Sequence, residues 1–260
     1  MSRTHFIFGY AGNKRQECKY IEPLCNFEGI TTIVEPYCGS CAFSYYIAQK
    51  YPKKFKYKLV DNCENLIKIL NKAKNKEEYD KFIDEINAEK DEVLSSKANY
   101  LAYPAKCKAS GDPEKAFFFY NKFYTIRSGL YPLAKVGKNI PDIPKDAGIL
   151  DFVRTEDVEF ICGDGLEYIK ENKDKTDYLF FIDPPYIDTC NQFYSNASLN
   201  VYEYFFHNKP SEHKCKMVFA LEDIWIIKLL FKDYVEGAIV KEKNYQPSKK
   251  KTSHIYFKNK

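Results

Sequence analysis

Apolar residues along this chain recur in two periods. Short, mostly apolar runs at residues 30–35, 57–61 and 178–183 each close on an acid, and a fourth, 158–162, is followed at once by Gly163-Asp164. Runs of that length, bounded by polar or Gly/Pro turns, read as buried parallel strands. Between them 41–50, 62–73 and 166–171 carry helical spacing. Strand and helix therefore alternate, which implies a mostly parallel sheet covered on both faces. Residues 217–220 and 224–234 continue the alternation, and two final alternating runs, 238–245 and 253–257, flank 246–252 and predict a β-hairpin at the end of the sheet. Ligands of such sheets lie beyond the carboxyl ends of the strands. The four acids Glu35, Asp61, Asp164 and Asp183 all fall there.

The alternation stops between 73 and 157. Residues 77–106 and 112–126 have helical spacing, and 128–145 carries the Gly and Pro of a loop. The chain thus reads as one α/β domain, residues 1–73 and 157–260, interrupted by an inserted helical module, 74–156. A content of 45% hydrophobic and 17% aromatic residues over 260 positions is enough for one good-sized core and a smaller module. No apolar stretch approaches the ~20 residues of a membrane helix, and the N-terminus lacks the apolar core of a secretory signal. The expectation is an intracellular, soluble protein with no membrane partner. The nine cysteines are an odd number without paired ligand spacing, since Cys38 and Cys41 have no second pair to complete a site, so reduced thiols and no metal are expected. The formal charge of +4 is modest, but lysines crowd the C-terminus around Lys249, Lys250 and Lys251. They read either as a solvated tail or as a phosphate-contacting hairpin.

The sharpest local feature is Asp183-Pro184-Pro185-Tyr186 after the strand at 178–182. Two successive prolines fix an extended backbone without N–H donors, so the Pro184 carbonyl and the Asp183 side chain can both face a cleft as acceptors. An amino group on a nucleobase offers two hydrogens to such a pair, and the face of Tyr186 suits a planar base. The bland reading is a rigid turn under an aromatic lid. The second feature is the strand-to-helix turn from Glu35 to Ala42, where Gly39 permits close backbone approach to a ligand. Asp61 either accepts from a ribose or caps the helix that follows it, and Asp164 can likewise cap the helix from Gly165.

With these residues in view, the chain resembles the Dam-type adenine-specific (N6) DNA methyltransferases. Phe8-Gly9-Tyr10-Ala11-Gly12-Asn13-Lys14-Arg15 looks like that family's opening element, Glu35 to Ala42 like its cofactor loop, Gly163-Asp164-Gly165 like its adenine-contacting turn, and Asp183 to Tyr186 like its catalytic tetrapeptide. Within the insertion, Asn121-Lys122 and Ser128-Gly129-Leu130-Tyr131 are similar to its DNA-reading segment. The family usually has Gly where this chain has Cys41, and an Arg near Pro132. The resemblance implies a Rossmann-like, S-adenosylmethionine-dependent methyltransferase fold that carries the insertion as a target-recognition module. It implies that Tyr10 packs near the cofactor, Lys14 pairs with its carboxylate, Glu35 and Gly39 line its methionine moiety, Asp61 holds its ribose and Asp164 its adenine amine, with Asp183 also among the cofactor-binding residues. Asp183, Pro184 and Tyr186 would act on a flipped-out adenine, and Asn121, Lys122 and Arg127 would contact double-stranded DNA. Two other readings stand beside this one: methylation of RNA adenine, and a catalytically inactive methyltransferase fold serving as a nucleic-acid-binding or scaffold protein.

Overall fold

The structure, a computed structural model, describes residues 6–9, 12–123, 141–187, 200–245 and 250–259. In chain order, helix α1 (Cys18–Ile21) precedes strand β1 (Thr32–Glu35), helix α2 (Ala42–Lys50) and strand β2 (Lys56–Asp61). Helices α3 (Glu64–Lys74), α4 (Lys76–Val93), α5 (Lys97–Ala109), α6 (Pro113–Phe123) and α7 (Leu150–Val153) follow. The sheet resumes with β3 (Val158–Cys162), α8 (Gly165–Asn172), β4 (Tyr178–Ile182), α9 (Asn200–His207), β5 (Lys216–Glu222) and α10 (Trp225–Leu230), and closes with β6 (Ile239–Tyr245) and β7 (Lys250–Lys258). These elements group into two compact units. One comprises Ala11–Cys63, Glu156–Tyr245 and Lys249–Lys260; the other is built mainly on Glu64–Thr155 with the residues before Ala11.

The first unit holds a sheet whose strands, among the described residues, run in the order β3-β2-β1-β4-β5-β7-β6. Strands β1 to β5 pair in parallel, and β7 is antiparallel to both β5 and β6. Burial follows position in the sheet. All four residues of β1 are buried and so are six of the seven in β5, whereas β3, at one edge, alternates between buried and exposed over its first three residues. A strand covered on both faces favours a near-continuous apolar sequence, and an edge strand does not. Apolar side chains from β1, β4, β5, β7 and α8 to α10 form one cluster, with Phe219 and Phe257 stacked at 4.9 Å. Chain order reverses between β1 and β4: the chain moves outward from β1 to β2 and β3, then returns to β4 on the other side of β1. A crevice opens at such a switch point beyond the carboxyl ends of the two strands.

In the second unit the apolar faces of α3 and α4 meet, with Leu66, Ile69, Leu70, Phe82, Ile83 and Ile86 buried. Phe118 of α6 stands edge-on to Phe82 at 5.3 Å and to Phe8 at 5.6 Å. The helical period over 77–106 is broken where the sequence reads Leu94-Ser95-Ser96. Ser96 caps α5 by accepting from the Asn99 N–H at 3.1 Å, and the Asn99 amide donates to the Glu92 carbonyl at the end of α4. A serine that satisfies an orphan N–H favours a new helix start over a continued turn.

Candidate active site

β1 delivers Glu35 and the end of β4 delivers Asp183 to the two sides of the switch point, and the loop after β1 reaches across to the end of β2. That loop is tied down through its backbone. The Gly39 N–H donates to Asp61 Oδ2 at 3.0 Å, and the Cys38 N–H to the Val60 carbonyl at 2.9 Å. Asp61 Oδ1 accepts from the Cys63 N–H at 3.0 Å, so this acid joins the loop to the turn after β2. Gly39 has φ 46°, and two residues on Cys41 has φ 57° and ψ 30° at the start of α2. A left-handed residue at that point is what glycine supplies at little cost, and a Cβ there costs about 1–2 kcal/mol. This gives the departure at Cys41 a physical meaning: the backbone keeps the glycine conformation although the side chain is present and fully buried.

Asp164 caps α8, its Oδ1 accepting from the Leu166 N–H at 2.7 Å and the Glu167 N–H at 3.3 Å. Gly165 then passes so close to the loop after β1 that an added Cβ would lie 2.0 Å from the Pro36 carbonyl oxygen and 3.0 Å from the Tyr37 ring. Backbone cannot yield as a flexible side chain does, so Gly165→Ala is expected to push the two loops apart and destabilise the chain by about 1–3 kcal/mol. Thermal melting checks this; an unchanged midpoint would contradict the packing.

Glu35 is 3% exposed and accepts from the Ser44 N–H at 2.7 Å. Burial pushes its carboxyl up to about 8, against the pull of the Ser44 hydrogen bond. Because this folded-state value lies above the ordinary 4.5, the native state holds the proton more tightly; the stabilisation is full below that ordinary value and is lost as pH rises through about 8. Glu35→Gln keeps an acceptor for Ser44 and removes the buried charge. Its melting midpoint should exceed that of the unaltered chain at about pH 8.5, with a smaller gap at about pH 5. A lower midpoint at the higher pH would refute the assignment.

The most tightly connected group is Lys14, Asp183 and Tyr186. Lys14, only 3% exposed, places its ammonium 2.7 Å from Asp183 Oδ2, donates to the Gly12 carbonyl at 2.8 Å and stands 4.9 Å from the Tyr186 ring centroid. The Tyr186 hydroxyl donates to Asp183 Oδ1 at 3.1 Å. Both oxygens of the carboxylate are thereby engaged and its orientation is fixed. Burial raises the Asp183 carboxyl above its ordinary value, and the Lys14 ammonium opposes that rise. Asn13 brings this N-terminal segment onto the loop after β1 through a 2.9 Å hydrogen bond to Ser40.

The structure thus brings Lys14, Glu35, Gly39, Asp61, Asp164, Asp183, Pro184 and Tyr186 into one unit. Tyr10 and Arg127 lie outside the described residues. Asn121 and Lys122 belong to the helical unit, where the Asn121 amide donates to the Phe117 carbonyl and the Lys122 ammonium to the Ile7 carbonyl at 3.1 Å. Sequence reasoning did not single out Tyr202, whose hydroxyl donates to the Pro185 carbonyl at 3.1 Å, or His254, whose ring packs against Tyr186. Tyr202 lies on a helix that the apolar pattern does not announce, and His254 is one alternating position in a hairpin strand. Among the described residues no group of His, Cys, Asp and Glu could hold a metal ion, and no helix is long and apolar enough to cross a membrane.

A parallel sheet in this strand order, ending in an antiparallel hairpin and carrying acids at the carboxyl ends of its strands, defines a Rossmann-like methyltransferase fold. Residues 10–141 match the family model for D12 class N6 adenine-specific DNA methyltransferases, and the chain belongs to that family. No curated protein matches it. Among solved structures, it is similar to the rRNA methyltransferase aviRa from Streptomyces viridochromogenes. The two are 11% identical with a TM-score of 0.37 over 94% of this chain and 83% of that one, too distant a likeness to bear on substrate. Membership of the family implies a methyl donor and an adenine acceptor.

Proposed function

We propose that the chain transfers a methyl group from S-adenosylmethionine to the N6 amine of a flipped-out adenine in double-stranded DNA. The observation that carries this reading is the Lys14–Asp183–Tyr186 group, held at the switch point beside Glu35 in a chain of the D12 class. The donor set fits the cofactor: Glu35, Asp61 and Asp164 are acceptors for its amine and hydroxyl hydrogens, and Gly39 lets it approach the backbone. When bound, S-adenosylmethionine supplies a methyl group already activated on a sulfonium. What remains for the protein is alignment and charge stabilisation. Asp183 and the Pro184 carbonyl accept the two amine hydrogens, which turns the nitrogen lone pair outward, and Asp183 then accommodates the positive charge that develops there. Tyr186 supplies a stacking face that offsets the few kcal/mol needed to extrude the base.

In this reading residues 1–73 and 157–260 form the catalytic domain, and 74–156 the target-recognition module, with Asn121, Lys122 and Arg127 on the DNA. Tyr10 and Lys14 complete the cofactor site. Two measurements test it. Calorimetry should detect binding of S-adenosylmethionine and its demethylated product, and tritiated methyl should pass to duplex DNA well above an RNA of the same sequence. Absence of binding at millimolar ligand would remove the enzyme reading, and preference for RNA would replace the DNA assignment.

A further inference from the structure

The Asp183-Pro184-Pro185-Tyr186 turn is gripped by two buried side chains from elsewhere in the same unit. Tyr202, near the start of α9, is 6% exposed and donates its hydroxyl to the Pro185 carbonyl at 3.1 Å. His254, in β7, is 1% exposed and meets the Tyr186 ring edge-on, with centroids 5.1 Å apart and planes at 69°. Glu222 of β5 and Lys241 of β6 are direct cross-strand partners of His254, so their side chains share its face of the sheet. Glu17 Oε1 lies 3.9 Å from its Nδ1, and the Tyr256 ring follows on its own strand at 6.4 Å.

Neither proline of the turn has an N–H, so this segment cannot be secured by the backbone donors that hold an ordinary strand-to-helix connection. Its handles are carbonyls and the tyrosine ring. A peptide unit is planar, so fixing the Pro185 carbonyl also fixes the Tyr186 nitrogen and the direction in which that residue leaves the turn. His254 then fixes the ring itself. Because the Tyr186 hydroxyl bonds to Asp183 Oδ1, the ring's orientation is passed on to the carboxylate. We propose that Tyr202 and His254 are positioning residues that brace this turn from two directions, setting the Tyr186 ring and through it the Asp183 carboxylate for the target amine. The inference rests on the functional reading above and extends it to residues outside the stretch matched by the family model.

The test uses the full chain with Tyr202→Phe, His254→Ala and His254→Phe. Four quantities are read: kcat and KM on unmethylated plasmid DNA, S-adenosylmethionine affinity by calorimetry, and the melting midpoint, with all rates taken below the melting transition. Tyr202→Phe removes one hydrogen bond and little else. It and His254→Ala should each lower kcat roughly ten- to a hundredfold, the scale of loss for reacting groups displaced by an ångström, with cofactor affinity within about twofold. His254→Phe restores an aromatic edge against Tyr186 and should recover most of the loss. The inference is overturned if Tyr202→Phe and His254→Ala keep kcat within about twofold, if His254→Phe is as impaired as His254→Ala, or if rate and cofactor affinity fall together as in a general loss of folding. If the unaltered chain methylates no adenine, the functional reading fails first and takes this inference with it; if it does and the variants match it, the brace alone is refuted.

Discussion

Replacing Asp183 by alanine is expected to abolish methyl transfer while leaving cofactor and DNA binding largely in place. The carboxylate is held by Lys14 on one oxygen and Tyr186 on the other, so it is oriented before any ligand arrives. Its proposed task arises as charge develops on the target nitrogen, and a group that acts mainly in the transition state affects turnover rather than ground-state affinity. Single preorganised polar groups of this kind are worth about a hundredfold or more. Asp183→Ala also leaves the buried Lys14 ammonium without its ion-pair partner, so the variant needs a check of its melting midpoint. Robust incorporation of tritiated methyl by the folded Asp183→Ala protein would show the turn to be architectural.

Lys14→Met is expected to move the acid limb of the pH–rate profile upward. In the proposed mechanism Asp183 works as the ionised acceptor. Burial already lifts its pKa, and Lys14 is the principal group holding it down. Without the ammonium the pKa rises further, so at any given pH on that limb a smaller fraction of the protein carries the working carboxylate. Removing the buried ammonium leaves the half-buried carboxylate without its ion-pair partner, a cost the carboxyl can relieve by taking up a proton. The limb should therefore move upward, with roughly a tenfold loss of rate for each pH unit wherever the pH lies below it. Lys14→Arg should recover part of the loss. The rates are compared at saturating S-adenosylmethionine, which keeps any contribution of Lys14 to cofactor affinity out of the comparison. A profile with an unmoved acid limb would separate Lys14 from the ionisation of Asp183.

The strands that build the site are legible in the sequence because their signal is local. A mostly apolar run ending in an acid marks β1, β2 and β4, and the order of these runs with the inserted helices gives the mostly parallel sheet. What a residue does once the sheet has formed is less legible, because it depends on partners far along the chain. Asp61 has two readings from sequence, ribose acceptor or helix cap, and the structure adds a third task, fastening the loop after β1 through Gly39. Lys14 is matched to a cofactor carboxylate by resemblance alone, whereas its ammonium meets Asp183, 169 positions later. The ring face of Tyr186 follows from chemistry, but its hydroxyl contact with Asp183 does not. Gly165 reads as part of a turn, and only the Pro36 carbonyl oxygen, 2.0 Å from where a Cβ would stand, shows why a side chain is excluded. The helical spacing over 77–106 is divided at Ser96 between two helices, where a local capping hydrogen bond outweighs an apolar period that runs through it.

The central claim is that the group around Asp183 directs a methyl to the N6 nitrogen of adenine in duplex DNA. Digestion of unmethylated duplex DNA to nucleosides after incubation with the chain and S-adenosylmethionine, followed by mass spectrometry, tests it most directly. The account predicts N6-methyldeoxyadenosine as the methylated product, formed by the unaltered chain and absent with Asp183→Ala. Methyl groups found on cytosine, or no methylated nucleoside from a folded chain that binds the cofactor, would contradict it.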